Sequence, residues 1–326
     1  MAVFTYRDAL TQALREELAR DESVFLMGEE VAQYNGAYKV SKGLLDEFGP
    51  MRIVDTPITE LGFAGIGVGS AMVGLRPIIE FMTWNFALLA LDQVVNAAAK
   101  MLYMSGGQFH MPMVFRGPNG SALQLSAQHS QAWESWLAHI PGLKVVTPGT
   151  PADAKGLLKA AIRDPNPVIY FEHKFLYRRI KAVLPTEDYI VPIGKAEVKR
   201  IGSTISVITY GAMVHLALEA ATVLEKEDIQ LEVVDLRTLI PLDKETIYES
   251  VRKTSKAIML HEDNKTGGIG AEIAALLAED CFDSLDGPVL RVAAPDTPVP
   301  FSTPMEEFFL PKVSDVVAAA RTLAAY

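Results

Sequence analysis

The spacing of apolar and polar residues predicts a chain of alternating helices and short buried strands. Tyr6, Leu10, Leu14 and Leu18 recur every fourth residue with Arg and Glu between them, which indicates an amphipathic helix. Apolar runs typical of buried strands lie at 23–28, 53–54, 77–82, 113–115, 145–146 and 168–171. Helical spacing is found between them at 62–74, 88–98 and 152–162. Strands that alternate with helices indicate an α/β domain with a mainly parallel sheet.

A second alternation begins after a polar, proline-containing stretch at 184–189. Its strands are predicted at 205–210, 232–235 and 257–260, and its helices at 216–224, 244–251 and beyond Gly270. We therefore predict an α/β fold of two domains, each a mainly parallel sheet flanked by helices. The first domain covers residues 1–184, a linker follows at 185–195, and the second domain covers residues 196–326.

Composition and charge exclude several classes of protein. Apolar residues make up 49% of the 326 residues and charged residues 21%, which is too apolar for a disordered chain. The excess of 40 acidic over 30 basic residues gives a net charge of −10, so we expect no nucleic-acid partner. No apolar run approaches the roughly 20 residues of a membrane span, and charges interrupt the N-terminus. We expect a soluble intracellular protein without membrane contact, whose apolar content favours a large subunit interface.

Motifs for common cofactors and nucleophiles are absent from the sequence. Neither glycine cluster, 62–69 or 267–270, satisfies G-x-G-x-x-G, and no G-x-x-x-x-G-K-[ST] occurs. We therefore interpret these glycines as helix packing and as a strand-to-helix turn, with an NAD-binding dehydrogenase as a weak alternative. The six histidines form no H-x-x-x-H pair, no G-x-S-x-G occurs, and the single Cys281 cannot form an internal disulfide.

Six segments, in this order and at these distances, carry a resemblance to a known family. They are DTPITELG (55–62), EFMTWNF (80–86), FRGPNG (115–120), AQHSQ (127–131), AIRDPNPV (161–168) and VVDLRTL (233–239). Together they resemble the β subunit of the thiamine-diphosphate-dependent 2-oxoacid dehydrogenases, most closely the pyruvate branch. The resemblance covers nearly the whole chain. It implies a transketolase-like pyrimidine-binding domain followed by a transketolase C-terminal-like domain.

The resemblance implies roles for three residues around a thiamine diphosphate that the chain shares with a partner α subunit. Glu60 shares a proton with N1′ of the cofactor's pyrimidine ring, Phe86 packs on that ring, and Met82 lines the same pocket. The apolar neighbours of Glu60 are expected to raise its pKa by desolvation, which suits this role. By residue type alone, Glu60 fits equally well as a helix cap, and Met82 and Phe86 fit as core residues.

Three further residues have implied roles outside that pocket. By resemblance, His129 lies in a polar loop at the mouth of the channel and takes part in substrate binding and in reductive acylation of the lipoyl group. An exposed loop histidine is the alternative. Glu29 and Asp92 match acidic positions between the two active sites of the assembly, where a proton relay is one interpretation. A strand-end cap and a helix start are the alternatives for these two acids.

A potassium site is a further implication of the resemblance. The turn at 164–167 follows a predicted helix, and carbonyl groups at a helix C-terminus attract cations. By resemblance, potassium is held there mostly through main-chain oxygens and stiffens the loop that carries His129. The matching residues are Met113, Ala161, Ile162, Asp164 and Asn166. A plain C-terminal turn without an ion is the alternative.

The chain lacks the G-D-G motif that holds the divalent ion of thiamine diphosphate. The resemblance places that motif, and with it magnesium, in the α subunit, so that the cofactor bridges two chains of an α2β2 heterotetramer. The β chain alone is then expected to be inactive. The second domain is expected to serve subunit assembly and docking of the lipoyl acyltransferase core.

The expected reaction is the decarboxylation of pyruvate and transfer of the acetyl group to lipoyl groups, which feeds acetyl-CoA formation after glycolysis. Gln128 favours the pyruvate branch, because the branched-chain branch carries an aromatic residue there. Branched-chain 2-oxoacid and acetoin dehydrogenases remain alternatives, and a non-catalytic module of the same fold is a distant one. A transketolase-like transferase would need a longer chain with its own diphosphate motif. The expected location is a bacterial cytoplasm, or an organellar matrix if a presequence has been removed.

Overall fold

A computed structural model describes residues 3–326, and the chain divides into two compact units. The first unit holds the residues up to Asn119 together with Trp136–Ile193, and the second unit holds Gly120–Ser135 together with Gly194–Tyr326. The segment that carries His129 therefore belongs to the second unit, although it lies inside the range 1–184 along the chain.

The elements up to residue 183 are short strands separated by helices, as the apolar pattern predicts. The strands are β1 (Val3–Thr5), β2 (Val24–Gly28), β3 (Ile53–Asp55), β4 (Arg76–Glu80), β5 (Val114–Asn119), β6 (Lys144–Val146), β7 (Val168–His173) and β8 (Lys181–Val183). The helices are α1 (Tyr6–Arg20), α2 (Leu44–Phe48), α3 (Glu60–Met72), α4 (Met101–Met104), α5 (Glu134–Ala138), α6 (Pro151–Arg163) and α7 (Leu176–Arg179). A 3-10 helix (Trp84–Ala90) and a π-helix (Asp92–Ala98) lie between β4 and α4.

The first unit is built around a parallel sheet in the order β6-β7-β5-β4-β2-β3. Strands β2, β5 and β7 are buried at every residue, which is typical of a parallel sheet covered on both faces. β1 and β8 form a separate antiparallel pair. Helix α1 begins with a capping box, in which the Thr5 hydroxyl accepts from the Asp8 amide and the Asp8 carboxylate accepts from the Thr5 amide.

One predicted helix of the first unit has unusual hydrogen bonding. The apolar spacing at 88–98 predicts a helix, and the structure has the 3-10 helix and the π-helix there, with a 58° bend. The Ala99 amide donates to the Val94 carbonyl, five residues earlier, as a π-helix requires. Apolar periodicity does not specify which of these hydrogen bonds forms.

Within residues 3–326 no single helix is long and apolar enough to cross a membrane. One bent pair in this range, Trp84–Ala90 with Asp92–Met104, is long and apolar enough only when its two helices are taken together.

The second unit repeats the alternation with a mostly parallel sheet in the order β14-β13-β10-β11-β9, in which β9 alone is antiparallel to its neighbour. Its strands are β9 (Glu197–Arg200), β10 (Ile205–Thr209), β11 (Leu231–Asp235), β12 (Thr238–Ile240), β13 (Ala257–Asn264) and β14 (Leu290–Ala294). Its helices are α8 (Met213–Leu224), α9 (Lys244–Thr254), α10 (Ile269–Asp280), α11 (Thr303–Phe309) and α12 (Val313–Ala324), with 3-10 turns at Glu225–Glu227 and Phe282–Ser284.

The glycines at 267–270 form the turn from β13 to α10 and make room for a buried histidine. A Cβ atom at Gly270 would lie 2.6 Å from Nε2 of His261, and one at Gly268 would lie 2.7 Å from Cε1 of the same ring. His261 is fully buried, and this burial lowers its pKa to about 4, so the ring is neutral at physiological pH. The strand-to-helix turn predicted for these glycines is confirmed, and a packed imidazole explains why two of its positions have no side chain.

Candidate active site

Three parallel strands of the first unit end side by side and define one edge of its sheet. Gly28 at the end of β2 pairs in register with Asp55 of β3 and with Glu80 of β4. The chain that follows each strand therefore starts at the same edge, the usual position of a ligand site in an open parallel sheet. The predicted site residues Glu60, Met82 and Phe86 all lie in these following segments.

Glu60 and Glu29 form a buried pair of carboxyl groups at this edge. Glu60 is the first residue of α3, Glu29 follows β2 directly, and their exposed fractions are 3% and 4%. The two side chains hydrogen-bond to each other. Burial, together with the neighbouring charge of Glu60, raises the pKa of Glu29 to about 7. The site therefore favours the protonated form of Glu29. Oε1 of Glu29 has no protein partner within residues 3–326.

Met82 and Phe86 lie just beyond β4, beside the helix that Glu60 begins. Both side chains are half-buried, and the Phe86 amide donates to the Thr83 carbonyl at 3.0 Å in the first turn of the 3-10 helix. That 3-10 helix packs against α3. The structure thus places Phe86 on a helix that contacts the helix of Glu60, and Met82 in the short bend between β4 and that 3-10 helix.

The apolar residues around Glu60 are mostly on the surface of this chain. The side chain of Ile58 is 83% exposed and that of Leu61 is 49% exposed, whereas Phe63 is buried. Exposed aliphatic side chains beside a buried acid form an apolar rim that another molecule can cover. The burial of Glu60 therefore comes from the fold beneath it and not from Ile58 and Leu61.

A buried ionic network lies under the same sheet edge, and the sequence reasoning missed it. The Arg116 guanidinium of β5 donates to both carboxylate oxygens of Glu172 on β7 and to Glu80 on β4. The Tyr177 hydroxyl donates to Glu172 at 2.7 Å. Burial raises the pKa of the Glu80 carboxyl, while the guanidinium opposes this shift. Arg116 stands inside a segment that carries the family resemblance, but its partners follow only from the strand order.

Asp55 is a second residue that the sequence reasoning missed. Its carboxylate accepts hydrogen bonds from the Ala32 amide at 2.6 Å and from the Gln33 amide at 3.0 Å. These bonds fix the turn that follows Glu29. A carboxylate at the end of β3 thereby holds the Glu29 segment in place beside α3.

Asp92 and His129 are the other predicted residues, and each is described by its own contacts. Asp92 begins the π-helix with an exposed side chain, and its carboxylate accepts from Asn96 at 2.8 Å. His129 is half-buried in the second unit, and its amide donates to the Ser126 carbonyl at 3.1 Å.

The five predicted potassium ligands are clustered around the end of α6. The Ala161 carbonyl accepts from the Asp164 amide at 3.3 Å, and Asn166 donates twice to the Asp164 carboxylate. The Arg76 guanidinium donates to the carbonyls of Ile162 at 2.9 Å and Asp164 at 3.3 Å. The fifth predicted ligand is Met113, whose carbonyl accepts a hydrogen bond from the Val168 amide at 3.0 Å. Positive charge is thus already present beside these carbonyls.

Among residues 3–326, no group of three or more His, Cys, Asp or Glu side chains is arranged to hold a metal ion.

The sequence matches two domain families that together define the class of the protein. Residues 2–179 match the family "Transketolase, pyrimidine binding domain", and residues 194–316 match "Transketolase, C-terminal domain". A solved structure named "Split gene transketolase, inactive beta4 tetramer" has the same fold, with a TM-score of 0.81 at 23% identity over 99% of this chain and 98% of that chain. The predicted two-domain α/β fold of transketolase type is therefore confirmed.

Relatives with known names specify the family within that class. The chain is 52% identical over 323 residues to "Pyruvate dehydrogenase E1 component subunit beta" of Rhizobium meliloti, covering 99% of this chain and 70% of the relative. It is 51% identical over 322 residues to the protein of the same name from Rickettsia felis, covering 99% and 98%. The mitochondrial protein of Caenorhabditis elegans is 52% identical over 324 residues, covering 98% and 92%. The chain belongs to the pyruvate dehydrogenase E1 β-subunit family of thiamine-diphosphate-dependent enzymes.

Proposed function

We propose that this chain is the β subunit of an α2β2 pyruvate dehydrogenase that decarboxylates pyruvate with thiamine diphosphate and passes the acetyl group to lipoyl groups of an acyltransferase core. The identity of about half of all residues to several proteins of that name supports the substrate. The observation that carries the proposal is the buried Glu60–Glu29 pair at the strand-end edge of the first unit. An acid that keeps a proton near pH 7 is the group that this chemistry needs.

The residues at this edge fit the pyrimidine half of thiamine diphosphate. Glu60 is buried at the start of α3, and the unpartnered Oε1 of Glu29 shows that the pair has hydrogen-bonding capacity to spare. We propose that Glu60 hydrogen-bonds to N1′ of the pyrimidine, that Phe86 packs on the ring, and that Met82 lines the pocket. When bound, the cofactor supplies a carbanion-stabilising centre for decarboxylation.

The protein's own residues contribute to the chemistry by holding and donating a proton beside the pyrimidine. Glu60 holds the proton that it shares with the pyrimidine, and the fold excludes water from that carboxyl because it is almost completely buried. Glu29 keeps its own proton up to a pH of about 7 and donates it towards Glu60, which prevents two adjacent buried charges. We propose no role for Asp92 in this step, since its carboxylate is exposed and bonded to Asn96.

The roles of the other predicted groups follow the family pattern. We propose that His129 assists substrate binding and reductive acylation of the lipoyl group, since a half-buried imidazole is able to donate and to accept a hydrogen bond. We propose that magnesium is held mainly by the α subunit. A structural potassium ion is proposed at Met113, Ala161, Ile162, Asp164 and Asn166, where Arg76 is the competing source of positive charge.

The proposed domain roles keep the predicted boundaries. Residues 1–184 form the pyrimidine-binding domain, 185–195 the linker, and 196–326 the domain for subunit assembly and acyltransferase docking. The matched families at 2–179 and 194–316 support this division. Relatives from bacteria and from mitochondria support a bacterial cytoplasm or an organellar matrix as the location.

The experiment that tests the proposal is dye reduction by the chain co-purified with its α partner, with thiamine diphosphate and magnesium present. We expect activity that needs both chains and prefers pyruvate over branched-chain 2-oxo acids and acetoin. Preference for another of these substrates would contradict the pyruvate assignment. Absence of activity with all of them, in a folded pair that binds the cofactor, would contradict the catalytic proposal itself.

A further inference from the structure

We infer that Glu306, with Glu262 and Asp263, positions His129 by anchoring the segment that carries it. We call Gly120–Ser135 the His129 segment. This segment and the three carboxyls all belong to the second unit, and each carboxyl is at least nine-tenths buried. The inference rests on the proposed function of His129 and adds the positioning residues that make this function possible.

The first anchor holds the beginning of the His129 segment at two residues. The Ser121 hydroxyl donates to Oε1 of Glu306 at 3.0 Å, and the Gln124 amide donates to Oε2 of the same carboxylate at 3.3 Å. The Ser121 amide also donates to Oε1 of Glu262, and the Gln124 side chain donates to the Thr303 hydroxyl. Glu306 and Thr303 both lie on α11, so one short helix holds two positions of the segment.

The second anchor holds the other end of the His129 segment. The Ser135 hydroxyl donates to Oδ2 of Asp263, which lies near the end of β13 next to Glu262. Nδ1 of His261 lies 3.1 Å from the Asp263 carbonyl, and the His261 ring packs against Gly270. The end of β13 therefore carries both carboxylates, and positioning residues on a strand hold a site more precisely than residues on a loop.

The backbone between the anchors explains why they are needed. Leu123, Gln124 and Ser126 have φ angles of 67°, 57° and 66°, in the left-handed region that residues with a Cβ atom rarely adopt. The His129 amide donates to the Ser126 carbonyl, so the histidine is fixed directly to this strained stretch. Such a backbone persists only where surrounding contacts determine it. Loss of the Glu306 bonds should let the stretch relax and move His129.

Hydrogen exchange measures the anchoring without any enzyme assay. In the chain co-purified with its α partner, we compare peptides that cover 120–135 in Glu306→Ala, Glu306→Gln and Glu307→Ala. Glu307 is the next residue on α11 and is exposed, so it is the matched control. We expect at least about tenfold faster exchange in Glu306→Ala, a smaller effect in Glu306→Gln, which keeps the size and one acceptor oxygen, and no change in Glu307→Ala. Unchanged exchange in Glu306→Ala would overturn the inference.

A double-mutant cycle then separates positioning of His129 from a general structural role. The rate of reductive acetylation of a lipoyl domain is measured for Glu306→Ala, His129→Ala and the double variant. We expect roughly a tenfold or greater loss of this rate in each single variant. In Glu306→Ala the reason is the displacement of His129, since a displacement of about 1 Å can cost that much. The double variant should lose no more than His129→Ala alone.

The outcomes of the cycle distinguish the inference from the proposed function. Losses that multiply in the double variant would show that Glu306 acts independently of His129, which overturns the inference while the function of His129 stands. Normal activity of His129→Ala would overturn the proposed role of His129 and, with it, the claim that its positioning serves the reaction. Glu307→Ala should behave as the unchanged chain in every assay.

Discussion

Replacement of Arg116 should destabilise the chain more than any surface charge would. The guanidinium is completely buried and is the cation between Glu80 and Glu172, both of which are more than nine-tenths buried. In Arg116→Leu the two carboxyls remain inside the first unit without a counter-charge. Removal of one partner from a buried ion pair typically costs about 3–5 kcal/mol, because the remaining charge stays desolvated.

The size of the effect should depend on the replacement and on pH. Arg116→Lys keeps the charge but cannot form the forked pair with Glu172 together with the bond to Glu80, so we expect about 1–3 kcal/mol. In Arg116→Leu the Glu80 carboxyl should bind a proton, since burial raises its pKa and the guanidinium no longer opposes this shift. A raised folded-state pKa gives stability at low pH that is lost as the pH rises, so the destabilisation should be smaller at pH 5 than at pH 8.

Urea unfolding of the purified chain, followed by circular dichroism, measures these differences. A loss of about 3–5 kcal/mol corresponds to a melting temperature lower by roughly 6–20 °C for a unit of this size. Arg15→Leu is the control in the same unit, because Arg15 pairs with Glu47 at the surface and should contribute about 0–1 kcal/mol. A loss below about 1 kcal/mol for Arg116→Leu, or one that does not change with pH, would refute the reasoning.

Three further predictions follow from single contacts. The raised pKa of Glu29 means that the folded chain keeps a proton that the unfolded chain releases, so the free energy of unfolding should fall between pH 4.5 and about 7. Glu29→Gln should lose this slope in pH-dependent unfolding, whereas the exposed Glu30→Gln should keep it. Gly270→Ala should cost about 1–3 kcal/mol in urea unfolding through its clash with His261, and Gly69→Ala, which meets no atom within 4 Å, should not destabilise. The proposed potassium site predicts a higher melting temperature in potassium chloride than in sodium chloride at equal ionic strength, and equal values would contradict it.

Local elements could be predicted from sequence because their signals are local. α1 follows from apolar residues four apart and from the capping box at its start, and β2 follows from an unbroken apolar run. The same pattern predicts a helix at 88–98 but not its type, and the backbone there forms a 3-10 helix and a π-helix where an α-helix is the common form. The difference lies in which carbonyl each amide reaches, and side-chain hydrophobicity carries no information about that choice.

The partners of the candidate site could not be predicted because they depend on topology. Arg116 reaches Glu80 and Glu172 only because β5 lies between β4 and β7 in the sheet. Ser121 bonds to Glu262 and Glu306, which are 141 and 185 residues away along the chain. Glu60, Met82 and Phe86 came from the family resemblance, and the fold adds that they follow the ends of β3 and β4, the two strands that flank β2. The buried Glu29 beside Glu60 gives that acid a proton partner which residue type alone did not reveal.

The central claim is that the carboxyl of Glu60 holds a proton that the reaction needs. The most direct test is the steady-state rate of pyruvate-dependent dye reduction by Glu60→Gln in complex with its α partner, with Glu22→Gln as an exposed control. Gln keeps the size of the side chain but cannot share a proton, so we expect kcat to fall by roughly 10²–10⁴ while melting temperature stays near that of the unchanged complex. A near-normal rate in Glu60→Gln would contradict the account.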